Sequence, residues 1–188
     1  MAGNAENGRG WRGNPWRIVV WGTASFLLLL PLVAMQFTGE VSWTPLDFIV
    51  MGIMLLAACG IYEFGAGMSG NTAYRAGIGI AVAAGFLLVW INLAVGIIGT
   101  EDNPANLMFG GVLAVAAIGA SIARFAPRGM AGALVATAIA QALVASIALV
   151  AGWGLEAVAL SAFFAALWLT SAGLFRKAAR ECTPGGAP

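Results

Sequence analysis

The residues that could do chemistry inside an apolar segment of this chain are few, and they are amides rather than charges. Asn92 and Gln141 are the polar residues placed deepest within its apolar runs. In lipid, such amides form interhelical hydrogen bonds that contribute about 0.6 kcal/mol each and at most about 1.7 kcal/mol. They could instead line a path for a solute or contact a partner. Trp90 lies away from the membrane interfaces that Trp usually occupies, so we expect it to fill a gap or stack on a buried ligand.

Acidic residues are the second group, and four of them fall in turns between apolar runs. They are Glu40, Glu101, Asp102 and Glu156. Carboxylates are hard oxygen ligands that attract cations. The four residues therefore either form a cation-attracting mouth or are simply solvated.

Two more carboxylates lie at the two ends of the second apolar run. Asp47 follows Thr44 by three residues, which is the spacing of a helix capping box. We expect a cap there, with a cation-binding or proton-entry role as the alternative. Glu63 lies at the helix end whose dipole disfavours an anion. We expect it to pair with Arg75 or Arg124, or otherwise to act as a gate or partner contact.

The chain lacks the residues that several classes of function need. The chain has no His, which removes His-ligated haem, zinc and copper and an imidazole base. Cys59 and Cys182 are predicted at different depths, so neither a disulfide nor a metal site is expected. No GxSxG, P-loop or HExxH motif is present. We therefore expect no enzyme activity, no cofactor and no bound metal. A net charge of +1 gives no reason to expect a nucleic-acid partner.

Six apolar runs must position these residues. The chain is 61% hydrophobic and 9% charged, whereas a soluble domain carries about 25% charged residues. Each run is long enough to cross ~30 Å of hydrocarbon. The runs are roughly 18–37, 46–64, 76–99, 105–125, 130–151 and 155–175, with Arg124 and Glu156 at the edges of two of them. The sequence therefore predicts an all-α polytopic bundle of six transmembrane helices over residues 18–175, with a flexible cytoplasmic tail at 1–17 and a second one at 176–188.

The basic residues predict the orientation of this bundle. All nine Lys and Arg fall in the two tails or in alternate turns, and the remaining turns carry only acidic charges. Cytoplasmic loops are enriched in Lys and Arg, so both termini are predicted to be cytoplasmic (N-in/C-in). Eight Arg against one Lys, with abundant Ala and Gly, favours a bacterial inner (cytoplasmic) membrane. The bilayer is then the first partner.

A weak internal repeat predicts how the helices pair. Glu40 and Phe64 recur at the same spacing as Glu101 and Phe125, and Glu156 follows in the next outer turn. Each pair of helices would then carry one acidic turn. The repeat predicts three antiparallel hairpins.

Three motifs support a resemblance over the stretch from Glu40 to Arg128. They are Trp43-Thr44-Pro45-Leu46-Asp47-Phe48, Asn71-Thr72-Ala73-Tyr74-Arg75 and Glu101-Asp102-Asn103-Pro104-Ala105-Asn106. This stretch resembles bacterial multi-helix inner-membrane proteins that have no assigned activity. The three-hairpin layout alone is similar to the bacterial acid-resistance membrane-protein family. No motif of that family matches, so the likeness implies no functional residue.

Small residues are dense on the fourth and fifth helices, including Gly110, Gly111 and Gly119. Such residues let helices approach closely, either within the bundle or against a neighbour. The sequence therefore predicts a non-enzymatic interaction, accessory or stress-related component of the membrane, with a membrane-protein partner or a homo-oligomer. The alternative is a small channel or permease for a neutral or weakly polar solute, which would pass Asn92 and Gln141.

Overall fold

The computed structural model describes residues 15–181, with side chains from Arg17 onward. The helices are α1 (Pro15–Ala34), α2 (Pro45–Gly67), α3 (Thr72–Ala94), α4 (Leu107–Ala123), α5 (Pro127–Val150) and α6 (Leu155–Glu181), and a 3-10 turn at Pro104–Asn106 precedes α4. All six helices are long and apolar enough to span a membrane. The predicted all-α fold with six membrane-length helices is confirmed, and it is the architecture of a multi-pass integral membrane protein.

The chain divides into two compact units, residues 1–59 and 60–188. In the first unit, α1 is apolar on every side, and only Ala24 and Pro31 are buried among its described side chains. Its exposed residues are mostly large, including Phe26, Leu29 and Leu32. Large apolar side chains are suited to contact with lipid tails, because the tails are as apolar as the side chains themselves.

In the second unit, neighbouring helices follow the order α3, α6, α5, α4. α5 and α6 form a closely packed hairpin, whereas α3 packs mainly against α6 and only slightly against α4. The three-hairpin arrangement and the N-in/C-in topology therefore stay predictions. Following that topology, we call the end of this unit at residues 151–154 the outer end and the end at residues 124–126 the inner end.

Large side chains fill the core of the second unit. Leu88 of α3, Phe109 of α4, and Phe164, Trp168 and Phe175 of α6 are each exposed by at most 1%. α5 contributes mainly small side chains to the same core. A chain that is apolar throughout thus distinguishes core from surface by the size and fit of side chains rather than by polarity.

Close helix contacts depend on glycine at defined points. A Cβ at Gly119 of α4 would lie 2.7 Å from Cβ of Ala133 on α5, and a Cβ at Gly77 of α3 would lie 3.1 Å from the Phe175 ring on α6. Replacing glycine at either point would force the helices or the ring to move. Gly119 therefore packs within the bundle, which is one of the two roles predicted for the small residues.

Several helix boundaries differ from those predicted. α3 begins at Thr72 rather than residue 76, because the side chain of Asn71 caps it by accepting from Tyr74 N at 2.9 Å. It ends at Ala94 rather than 99, because Gly96 adopts a left-handed φ of +74°. Residues 176–181 continue α6 instead of forming a tail. The rest of the predicted tails, residues 1–14 and 182–188, lie outside the described residues.

Candidate functional site

A group of buried polar atoms without hydrogen-bond partners lies in the core of the second unit. Gln141 is 0% exposed, and neither its Nε2 nor its Oε1 has a partner. Ser161 Oγ and Trp168 Nε1 are likewise buried without partners. Leaving one such atom unsatisfied costs about 1–3 kcal/mol. We call Asn92, Gln141, Ser161 and Trp168 the buried polar cluster, because each has at least one buried side-chain atom without a hydrogen-bond partner among the described residues.

Two contacts between α3 and α6 set their register and place Asn92 at about the same depth as Ser161. The hydroxyl of Ser171 on α6 donates to the carbonyl oxygen of Gly77 on α3 at 2.7 Å. Further toward the outer end, the Trp168 ring lies 3.9 Å from where a Cβ of Gly85 would be. Two helical turns further toward the outer end, α3 carries Asn92 on the same face as Gly85, and α6 carries Ser161 on the same face as Trp168.

Asn92 itself is satisfied only in part. Its Nδ2 donates to the carbonyl oxygen of Leu88 in its own helix at 2.8 Å. Its Oδ1 is buried without a partner. Asn92 thus offers an acceptor to its surroundings and keeps its donor within α3.

Gln141 lies slightly deeper than Ser161. Gln141 and Phe164 are equally far along the chain from the 151–154 turn, so they share a depth in the α5–α6 hairpin. Ser161 is less than one helical turn nearer the outer end. The two sequence-predicted amides, Asn92 and Gln141, are therefore in one region of the core, but no hydrogen bond joins them.

Trp168 and Ser161 are members of this cluster that the sequence analysis missed. Trp168 is 1% exposed, whereas Trp90, the tryptophan singled out from sequence, is only partly buried. The signal for Trp168 was present, because it too lies mid-helix and away from an interface. No sequence signal distinguishes Ser161 from the exposed Ser146, which satisfies its own hydroxyl with the Ala142 carbonyl.

Asp47 and Thr44 adopt the geometry of a capping box at the start of α2. Oδ2 of Asp47 accepts from N and Oγ1 of Thr44 at 2.7 and 2.8 Å. In return, N of Asp47 donates to Thr44 Oγ1 at 3.4 Å. The carboxylate is thus occupied by local donors. Its cation or proton role stays a prediction.

The loop between α3 and α4 is held by Asn106. Its Oδ1 accepts from N of Ile97 and N of Ile98 at 3.2 and 2.9 Å, and its Nδ2 donates to O of Ile98 and O of Thr100 at 3.3 and 2.8 Å. Ile98 is consequently buried to 1% exposure. The loop is a folded element and not a simple turn, which the sequence analysis did not predict.

The structure does not test the predicted cation-attracting mouth. Glu40, Glu101, Asp102 and Glu156 are all exposed. Within residues 15–181, no three His, Cys, Asp or Glu residues are grouped so that they could hold a metal ion. A cation-attracting role for the four carboxylates stays a prediction.

At the inner end, Arg124 is the C-cap of α4 and adopts a left-handed conformation with φ of 46°. Arg75 lies in the first turn of α3, and Glu63 lies near the end of α2. Pairing of Glu63 with Arg75 or Arg124 stays a prediction.

Comparison with known proteins returned no matching family model, curated protein or solved structure. The class that the fold defines is a multi-pass membrane protein with six membrane-length helices. The resemblances drawn from sequence motifs stay predictions.

Proposed function

We propose that this protein is a non-enzymatic accessory component of a membrane, and that one face of α4 binds a transmembrane helix of a partner membrane protein. We define the outward face of α4 as Leu107, Gly110, Gly111, Ala114, Ala117 and Ile118, all of which are exposed. The observation that carries the proposal is the open space at Gly110 and Gly111. Among the described residues, no atom outside the neighbouring turns of α4 lies within 4 Å of the position that a Cβ would take at either glycine.

Small residues have a particular value on such a face. Transmembrane helices associate through small side chains that let the two backbones approach, because lipid and protein are equally apolar. The opposite face of α4 is already used, since Phe109 and Val112 are buried and Gly119 meets Ala133. Among the described residues of the second unit, the outward glycines therefore make no close helix contact.

The exposed surface of α1 provides a contrast. Most of its exposed apolar side chains are large, as at Phe26, Leu29 and Leu30, although Gly22 is exposed as well. A lipid-facing helix can be covered by large side chains, whereas a run of Gly and Ala gives lipid little to contact. This difference in side-chain size supports a protein partner for α4 rather than lipid alone.

The packed core supports an accessory role over conduction. Leu88 and Phe164 are fully buried in the core of the unit that contains the buried polar cluster. A continuous path for a solute through this unit would require these side chains to move.

Mutation of the outward face tests the proposal. Gly111→Leu and Ala114→Leu place bulk where the partner backbone would approach, and Ala142→Leu is the matched control on an exposed position of α5. After gentle detergent extraction from native membranes, co-purifying subunits are identified by mass spectrometry. We expect a stoichiometric partner that is lost with the α4 variants and retained with Ala142→Leu. A partner retained by all three variants, or absent from the wild type, contradicts the proposal.

The second candidate function is a small channel or permease for a neutral or weakly polar solute. It is favoured by the two unpartnered amide atoms of Gln141, which a passing solute could satisfy. Gln141→Leu and Asn92→Leu would then abolish solute flux in liposomes while the protein stays folded. Unchanged flux in both variants, or no flux in the wild type, removes this candidate.

A further inference from the structure

A groove lined by three arginines lies at the inner end of the second unit. Arg128 in the first turn of α5 faces Arg176 and Arg180, which are one turn apart on α6. Its other lining residues are small, namely Ala131, Gly132 and Ala179, and the groove has a volume of about 350 Å³. That volume falls within the usual range for small-molecule sites.

The charge of this groove is positive without an acidic residue in its lining. The described carboxylate nearest in sequence, Glu181, does not line this groove but an adjoining one that shares Arg176 and Arg180. Its carboxylate accepts from Nδ2 of Asn71 at 2.7 Å and lies 4.0 Å from Nζ of Lys177. Three guanidinium groups around one small-walled space attract an anion, and their planar N–H donors match the oxygens of a phosphate.

The start of α5 adds to this field. No side chain caps this helix at Ala126, and its first turn contains no acidic residue. A helix N-terminus carries a partial positive charge and N–H groups without helical partners. Arg128 lies in that same turn, so the helix end and the guanidinium groups both favour an anion.

The depth of the groove indicates where the anion resides. An α-helix crosses ~30 Å of hydrocarbon in about 20 residues. Counted from the outer ends of α5 and α6, Val150 and Leu155, the hydrocarbon ends near Met130 and Phe175. Arg128 and Arg176 therefore lie immediately beyond it, at the level of lipid phosphates.

We propose that this groove is a binding site for the phosphate of an anionic phospholipid, held by Arg128, Arg176 and Arg180. The small residues Ala131 and Gly132 leave room for the headgroup, and the acyl chains continue along the apolar surfaces of α5 and α6. The site is independent of the outward face of α4, so either proposal can fail without the other.

Lipid retention by the full-length protein tests the site. Protein in mild detergent is incubated with phosphatidylglycerol or phosphatidylcholine, and bound lipid is counted by native mass spectrometry across a lipid titration. We expect selective retention of phosphatidylglycerol, weakened about tenfold or more by Arg176→Gln or Arg180→Gln. Lys177→Gln, which removes the same charge between them on α6 without touching this groove, should bind like the wild type.

Gly132→Leu provides a second variant that leaves every charge in place. Gly132 has no atom within 4 Å of its Cβ position, so leucine there is tolerated by the fold but fills the groove. We expect it to weaken phosphatidylglycerol retention as the arginine changes do.

Three results would overturn the proposal. Equal retention of the two lipids would remove the anion preference. Equal weakening by Lys177→Gln would show a diffuse surface charge instead of a site. Displacement of the lipid by inorganic phosphate at equal concentration would assign the groove to a soluble phosphate and not to the membrane.

Discussion

The hydroxyl of Tyr74 donates to the carbonyl oxygen of Phe125 at 2.8 Å, which joins the first turn of α3 to the connection between α4 and α5. That connection contains two successive non-glycine residues in left-handed conformation, Arg124 at φ 46° and Phe125 at φ 59°. Each such residue costs roughly 1–2 kcal/mol. The Phe125 ring also packs edge-on against Phe64 at 5.4 Å, so several contacts offset the cost of this turn.

Removing the Tyr74 hydroxyl should weaken the inner end. Tyr74→Phe keeps the edge-on contact with Phe175 at 5.1 Å but leaves the Phe125 carbonyl without its donor. We expect a loss of about 1–2 kcal/mol of stability, measured by denaturant unfolding in detergent. The control is Tyr62→Phe, at a partly buried tyrosine, and it should change the stability little. Equal effects of the two changes would mean that the hydrogen bond does not stabilise the turn.

The α4–α5 contact should depend on the absence of a side chain at Gly119. Gly119→Ala places a methyl group 2.7 Å from the Ala133 methyl, and such overpacking typically costs about 1–3 kcal/mol. Gly173→Ala, where no atom lies within 4 Å, should instead stabilise by up to about 1 kcal/mol through helix propensity. The thermal midpoints of the two variants should therefore move in opposite directions. An unchanged thermal midpoint in Gly119→Ala would show that α4 and α5 can separate without a loss of stability.

Two buried polar side chains of the core should respond oppositely to removal. Gln141→Met retains length and removes two unpartnered polar atoms, so we expect stability to rise by about 1–3 kcal/mol. Ser171→Ala removes a satisfied hydrogen bond to Gly77 and should lower stability by about 1 kcal/mol. Thermal unfolding in detergent measures both. A fall in stability with Gln141→Met would contradict this account, because it would mean that the amide atoms are satisfied in the folded protein.

The α3–α4 loop should open when Asn106 is replaced. Asn106→Ala removes four hydrogen bonds from this loop, so the amides of Ile97 and Ile98 lose their acceptor. We expect their hydrogen exchange to accelerate by at least tenfold, since about 1.4 kcal/mol of lost local stability corresponds to that factor. Asn103→Ala, which removes only one cap bond to Ala105 N, should leave both amides protected. Unchanged exchange in Asn106→Ala would contradict this account.

Sequence alone predicted the elements of this fold well, because length and hydropathy determine which segments can cross a membrane. The Thr44 and Asp47 capping geometry was also foreseeable, since it depends on residues three apart. Helix ends were less predictable. The start of α3 depends on Asn71, and its end depends on Gly96, whose Cβ would lie 2.5 Å from the Thr100 backbone.

Helix pairing could not be predicted in the same way. In a soluble helix, a polar stripe marks the exposed face, but the helices here are apolar all round. The α3–α6 contact depends on Gly77 meeting Phe175 and on Ser171 meeting a backbone carbonyl. Neither contact leaves a periodic pattern in the sequence. Of the buried polar cluster, Asn92 and Gln141 were evident as isolated amides, whereas Ser161 is one of several serines in apolar helices.

The packing of α3 on α6 has a consequence for how the protein is made. α3 is complete at residue 94, but its main neighbour is complete only at residue 181. At about 5–20 residues per second, the ribosome needs several seconds to synthesise the intervening chain. During that interval α3 must reside in the bilayer with Gly77, which meets Phe175 and Ser171 in the folded protein, not yet covered by α6. The nascent protein therefore exposes the α6-facing side of α3 to misassembly or proteolysis from the completion of α3 until α6 has been synthesised.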